Sequence, residues 1–257
     1  MASATFRIWR GDTQGGSFRD YAIEIAPGMV ALDAVHRIQA EQAPDLAVRW
    51  NCKAGKCGSC SAEVNGVPRL LCMTRLSDLP LSRPVALRPM KTFPLVRDLV
   101  TDVSWNYRVK RTIKEFKPRP PDAPDGTWRM AQADIERVQE FRKCIECFLC
   151  QDVCHVLREH EMHDRFAGPR FLMHIAALEM HPLDAEDRVD EARRAQGVGL
   201  CNITKCCTHV CPRKSPSPTT PSSRSRSAWW TRRTILSGGC SGCSAPPIEA
   251  REPSCSS

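Results

Sequence analysis

The chain has 257 residues, 15 of them cysteine, with 37 Lys and Arg against 29 Asp and Glu for a net charge of +8, and its length suits two domains of about 100–200 residues each. The cysteines are bunched at short gaps, which suits metal ligation in a reducing compartment better than disulfides, and with no run of about eighteen apolar residues the sequence predicts no membrane span. The charge argues against a nucleic-acid partner, because five of the eight surplus positive charges lie in residues 213–257, where seven Lys and Arg face only Glu249 and Glu252.

The N-terminal MASATFRIWRG passes directly into a strand pattern, with neither the apolar core of a secretion signal nor an Arg- and Ser-rich presequence, so the expectation is a bacterial cytoplasmic protein. Residues 5–10 and 19–25 alternate around a Gly-rich turn at 11–16 and predict a β-hairpin. Pro27 and Gly28 punctuate, and Val30, Leu32, Ala34, Val35 and Ile38 then predict a helix that ends before Pro44. Two strands with a helix across them begin a β-grasp.

Cys52, Cys57, Cys60 and Cys72 follow as C-x4-C-x2-C…C, the plant-type spacing for a 2Fe-2S cluster. Gly55 and Gly58 let the backbone fold closely around a cluster and offer its N–H groups to the sulfides. Asn65-Gly66 predicts a two-residue hairpin turn before Cys72. Residues 94–105, PLVRDLVTDVSW, read as a helix with proline in its first turn. A proline-rich connection covers 117–126, and the domain boundary is placed near residue 106.

Beyond it Ile135, Val138 and Phe141 line a helical face, residues 169–180 form a second helix, and 184–196 form a charged third one ending at Gly197. Between the first two, Cys144, Cys147, Cys150 and Cys154 fall at C-x2-C-x2-C-x3-C, the bacterial-ferredoxin spacing, whose fourth cysteine serves the other cluster of a pair. The partner run is Cys201, Cys207 and Cys211, with Thr204 where its second cysteine would stand. Crossing the fourth ligands puts Cys144, Cys147, Cys150 and Cys211 around a 4Fe-4S cluster and leaves only Cys154, Cys201 and Cys207 for the other, which is then most simply 3Fe-4S. Cys206 is spare, either a buried bystander or an alternative fourth ligand.

The fold class expected is α+β: a β-grasp, plant-type 2Fe-2S ferredoxin domain over 1–105, then an all-α, bacterial-ferredoxin-like domain over 106–212. Residues 213–257 hold twelve serines and six prolines, a composition that cannot bury a core. They are expected to be a disordered tail or an out-of-frame one, with the frame shifting near 209–213; Cys240 and Cys243 within them, a formal C-x2-C, are expected to be incidental, Cys255 also sits there, and Trp229 and Trp230 resemble a membrane-interface pair that an out-of-frame origin explains equally well.

These three cysteine sets in this order, over residues 5–212, resemble the iron–sulfur subunit of the succinate dehydrogenase/fumarate reductase family. The segment Met90-Lys-Thr-Phe-Pro-Leu-Val-Arg-Asp-Leu-Val100 is similar to that family's link between domains. The resemblance implies an electron wire of the respiratory chain and tricarboxylic acid cycle. Its electrons run between the FAD of a separate flavoprotein subunit and a quinone at a membrane anchor, and the chain lies on the cytoplasmic face of the bacterial membrane. Many members have proline after the cysteine equivalent to Cys154 and then a tryptophan near the quinone, whereas this chain has His155-Val-Leu-Arg-Glu-His160, closer to the menaquinone-type branch. No quinone ligand is assigned. The competing readings are a free-standing two-domain ferredoxin, which would lack a flavoprotein partner, and a zinc-binding nucleic-acid protein, whose tetrahedral sites do not account for the split three-plus-one repeat.

Overall fold

The structure is a computed structural model that describes residues 2–214. The tail expected at 213–257 therefore lies outside the described residues apart from its first two. Strand β1 (Ala2–Asp12) buries Ala4, Phe6 and Ile8 while Arg7 between them faces water, the period of two that makes a sheet face. Strand β2 (Gly15–Ile25) pairs with it antiparallel along its whole length and buries Tyr21 and Ile23. The ladder runs to Asp12 and Gly15, so the turn is tighter than the Gly-rich spacing predicts. Helix α1 (Ala31–Glu41) opens with the Asp33 carboxylate accepting the Val30 N–H at 3.1 Å. It buries Ala31, Leu32, Ala34, Val35 and Ile38, the face read from the sequence.

Strands β3 (Ser61–Val64) and β4 (Val67–Leu70) form a hairpin whose turn residues Asn65 and Gly66 take φ of 51° and 79°, as an Asn-Gly turn requires. Strand β5 (Val85–Arg88) lies between β3, which it meets antiparallel, and β1, with which it is parallel over Phe6–Ile8.

Residues 94–105 are not the expected helix. They form β6 (Leu95–Arg97) and β7 (Val100–Thr101), an antiparallel pair joined through Asp98 at φ 49°, and helix α2 (Ser104–Thr112) starts only afterwards. Asp98 explains the difference: its buried carboxylate accepts the N–H of Gly11 at 2.9 Å, the N–H of Ala47 at 2.8 Å and the Arg10 Nε–H at 3.1 Å. Tertiary bonds that satisfy two backbone donors outweigh a modest helical pattern.

The helical part comprises α3 (Gln132–Gln139), α4 (Leu149–Asp152), α5 (His155–Arg158), α6 (Pro169–Glu179), α7 (Arg188–Arg194) and α8 (Cys206–His209). Helix α6 buries Phe171, Ile175 and Ala176 in the same apolar cluster as Phe6 and Leu87 of the sheet, so one core spans both parts. Helix α7 is shorter than the predicted 184–196. Asp187 caps it by accepting the N–H groups of Val189 and Asp190, and Asp184 is engaged by Arg188.

Arg188 holds the proline-rich connection in place. Its guanidinium is fully buried, paired to Asp184 at 2.9 Å and Glu191 at 3.1 Å, and donates to the carbonyls of Lys114 at 2.6 Å and Glu115 at 2.7 Å. Just beyond, the Arg119 N–H donates to the Leu183 carbonyl at 2.9 Å. Removing one partner of a buried ion network strands the rest. Arg188→Leu is expected to destabilise the cluster-loaded protein by about 3–5 kcal/mol, read as a lowered thermal midpoint with earlier protease cleavage between residues 114 and 130; an unchanged melt would contradict this anchoring role.

Candidate metal centres

The first cysteine set lies on the loop between α1 and β3 and on the turn Leu71–Met73 after β4. Lys53, Gly55 and Gly58 all take positive φ, which curls the backbone so that its N–H groups face inward. Ala54 and Lys56 donate to the Cys52 sulfur at 3.4 and 3.2 Å, and these bonds, with the Cys57 thiol beside it, pull Cys52 down to about 6. Cys60 behaves oppositely: burial pushes its thiol up to about 12, although the Cys72 N–H donates to it at 3.5 Å. Cys57 and Cys72 are both close enough to Cys60 to act on its charge, so the four sulfurs share one neighbourhood.

The second and third sets are two copies of one backbone device. After Cys144, Glu146 and Phe148 take φ of 53° and 60°, and a single helical turn, α4, then carries Cys150. After Cys201, Ile203 and Lys205 take φ of 58° and 63°, and α8 carries Cys207. In each copy one residue stands between the two left-handed positions, Cys147 in the first and Thr204, exposed, in the second. Cys206 falls in register with Leu149.

Cys144, Cys147, Cys150 and Cys211 line one cavity of about 40 Å³, walled by Ile145, Phe148 and Met173, with Cys207 at its side. Burial pushes Cys147 up to about 12 and Cys150 well above the usual thiol value, and neighbouring thiols add to both shifts. Cys154 is raised to about 11, first by burial and further by Cys207 and Cys201 nearby. A separate apolar patch of Val156, Leu157, Phe166 and Leu172 packs against Cys154 and Cys201. Among the described residues no three His, Cys, Asp or Glu side chains converge to hold a single metal ion. Thiols that burial keeps from ionising alone, spread around a cavity and met by inward N–H groups, fit iron–sulfur clusters.

The first two sites meet at a seam that cysteine spacing does not disclose. Gly58 lies so near the second run that a Cβ there would stand 2.8 Å from the Cys147 Cα. The Ser61 hydroxyl shares its proton between the carbonyls of Gly58 at 2.9 Å and Cys147 at 2.8 Å. Around this contact the Thr92 N–H donates to Asp152 at 3.0 Å, and Arg158 bridges Glu63 of β3 and Asp152 of α4. Both carboxylates are buried, and burial together with the facing Glu63 pushes Asp152 upward. Glu63 and Ser61 carry no sequence signal beyond being polar residues on a strand beside a ligand loop. His155 is half-buried and His160 exposed.

Residues 5–107 match the 2Fe-2S iron–sulfur cluster binding domain family, and residues 140–215 match the 4Fe-4S dicluster domain family. The fumarate reductase iron–sulfur subunit of Mycobacterium tuberculosis is 32% identical over 204 residues, 77% of this chain and 80% of that one. The mitochondrial succinate dehydrogenase [ubiquinone] iron–sulfur subunit 1 of Oryza sativa is 27% identical over 218 residues, 81% of this chain and 76% of that one. In three dimensions the chain is similar to one from the Mycobacterium smegmatis Sdh1 complex in the apo form, with a TM-score of 0.84, 55% identity and coverage of 91% and 96%. A β-grasp 2Fe-2S part followed by a helical dicluster part, in a chain that matches these relatives over most of its length, makes it a member of the iron–sulfur subunit family of succinate dehydrogenase and fumarate reductase, an electron carrier within an oxidoreductase.

Proposed function

We propose that the chain holds three centres in a row: 2Fe-2S on Cys52, Cys57, Cys60 and Cys72; 4Fe-4S on Cys144, Cys147, Cys150 and Cys211; and 3Fe-4S on Cys154, Cys201 and Cys207. They link the FAD of a flavoprotein subunit to a menaquinone-type quinone at a membrane anchor, on the cytoplasmic face of the membrane. The ligands divide between two units, 1–105 and 106–212, whose boundary falls within α2. Among the described residues no helix is long and apolar enough to cross a membrane, so in this reading the contact with lipid is made by the anchor.

The observation that carries the reading is the repeated backbone device, in which Thr204 occupies the place of Cys147. A neutral hydroxyl does not replace a thiolate, so one corner of that cluster goes unheld. When bound, the clusters supply one-electron redox steps. The chain's own part is to fix their spacing, exclude water and set the charge around them. Gly58 and Ser61 keep the first two ligand loops in contact, and the patch around Leu157 and Phe166 keeps the third set dry.

The native protein is expected to carry about nine iron and about ten sulfide per chain, the sum of the three cluster types, and to co-purify with flavin. Stoichiometric zinc with little iron would overturn the reading. Thr204→Cys supplies the missing thiolate and is expected to convert the three-iron centre to 4Fe-4S, removing its oxidised-state paramagnetic signal and slowing quinone reduction. If the wild type lacks that signal and Cys206→Ser abolishes a four-iron centre, the ligand is Cys206.

Gly58→Ala tests the seam. At φ +72° with backbone 2.8 Å away, the added methyl must push the loops apart, whereas Gly66→Ala at φ +79° meets nothing within 4 Å and bears only the backbone strain of about 1–2 kcal/mol. Rapid-mixing kinetics should show slower reduction of the four-iron centre in Gly58→Ala and near-normal rates in Gly66→Ala; equal rates in both would sink this role.

A further inference from the structure

Arg170, the second residue of α6, is 7% exposed and lines the same cavity as Cys144, Cys147, Cys150 and Cys211. Its terminal nitrogen donates to Glu146 Oε1 at 2.6 Å, and Lys110 Nζ donates to the same oxygen at 2.7 Å. Two cations on one carboxylate leave a positive charge over. The Arg170 Nε–H is buried and meets no acceptor among the described residues. A buried donor without a partner is a costly arrangement unless something else accepts from it. The cavity it lines is otherwise walled largely by thiols and apolar side chains, so a cluster held there would bring sulfur as the acceptor.

The other charged groups around the cavity do not cancel this one. Arg213 lies at its edge but is exposed, where solvent and salt screen it. His174, on the next turn of α6, is pushed down to about 4 by burial and then by Arg170, so it stays neutral at physiological pH.

We propose that Arg170 sets the potential of the centre on Cys144, Cys147, Cys150 and Cys211, through its buried charge and a hydrogen bond from Nε–H to a sulfur of that centre; this rests on the ligand assignment above. Reduction adds one negative charge in a site of low dielectric, and a fixed cation with an N–H directed at sulfur favours the reduced form. Arg170 is a positioning residue for charge and takes no part in bond making. Nothing in the spacing of the cysteines marks it, because it reaches the site from a separate helix beyond the cysteine run, where its backbone N–H donates to the side chain of Gln151 at 3.3 Å.

The test is a redox titration of the assembled, cluster-loaded complex followed by electron paramagnetic resonance. Arg170→Gln is expected to lower the midpoint of the four-iron centre by a roughly tenfold change in its reduction equilibrium, ~59 mV for one electron, with the 2Fe-2S midpoint unmoved. Arg170→Lys, which keeps the charge but loses the Nε–H, should fall between the two, and Glu146→Gln, which removes the opposing carboxylate, should raise the midpoint. An unchanged midpoint in Arg170→Gln with the cluster signal intact, or an equal shift in every centre, overturns the proposal. If Arg170→Gln loses the cluster, Glu146→Gln decides, an unmoved midpoint there overturning it. Failure of the underlying assignment looks different: Cys147→Ser would then leave the four-iron signal in place.

Discussion

The arrangement depends on how closely the backbone at Gly58 lies against the backbone at Cys147. Only a residue without a Cβ can take φ +72° there and leave room for the second loop. Ser61 then ties the two carbonyls together, and Thr92, Arg158, Glu63 and Asp152 surround the contact with buried polar bonds. A rigid, shared core beneath it, running from Phe6 in β1 to Phe171 in α6, keeps the loops from drifting. Electron carriers work by proximity and tuned potential, so a fold that sets two ligand loops in van der Waals contact has done most of what the chain contributes.

The thiols explain why the folded protein and its metal belong together. Cys60 and Cys147 at about 12, and Cys154 at about 11, remain protonated at physiological pH unless a cation is supplied, because burial disfavours the thiolate. Cys52, by contrast, is drawn low, to about 6, by N–H groups that the curled loop already presents. Iron binding therefore expels protons from the buried set, and its binding energy adds to that of folding. The same low dielectric makes each fixed charge near a cavity effective, which is why one buried arginine matters more than several exposed ones.

Most of the fold and the grouping of the cysteines was legible because it rests on local signals. The period of two in β1, the apolar face of α1, Asn65-Gly66, and proline at the start of α6 each act within a few residues. The failure at residues 94–105 came from Asp98, whose three partners lie far off in the chain. The left-handed positions in the paired loops were also invisible, since Glu146, Phe148, Ile203 and Lys205 are residue types that rarely adopt positive φ. Only a surrounding structure can impose it. Yet those positions are what aligns Thr204 with Cys147 in space. Ser61, Glu63 and Arg170 escaped for a related reason: a polar residue declares its partner only once the fold has brought the partner near.

The most direct test of the account is an anomalous difference map recorded at the iron edge from crystals of the purified complex. The account predicts three separate iron centres in one row: one beside Cys52, Cys57, Cys60 and Cys72, one beside Cys144, Cys147, Cys150 and Cys211 and nearest Gly58, and one beside Cys154, Cys201 and Cys207. Peaks at the zinc edge instead, fewer than three iron centres, or a third centre ligated by Cys206 would contradict it.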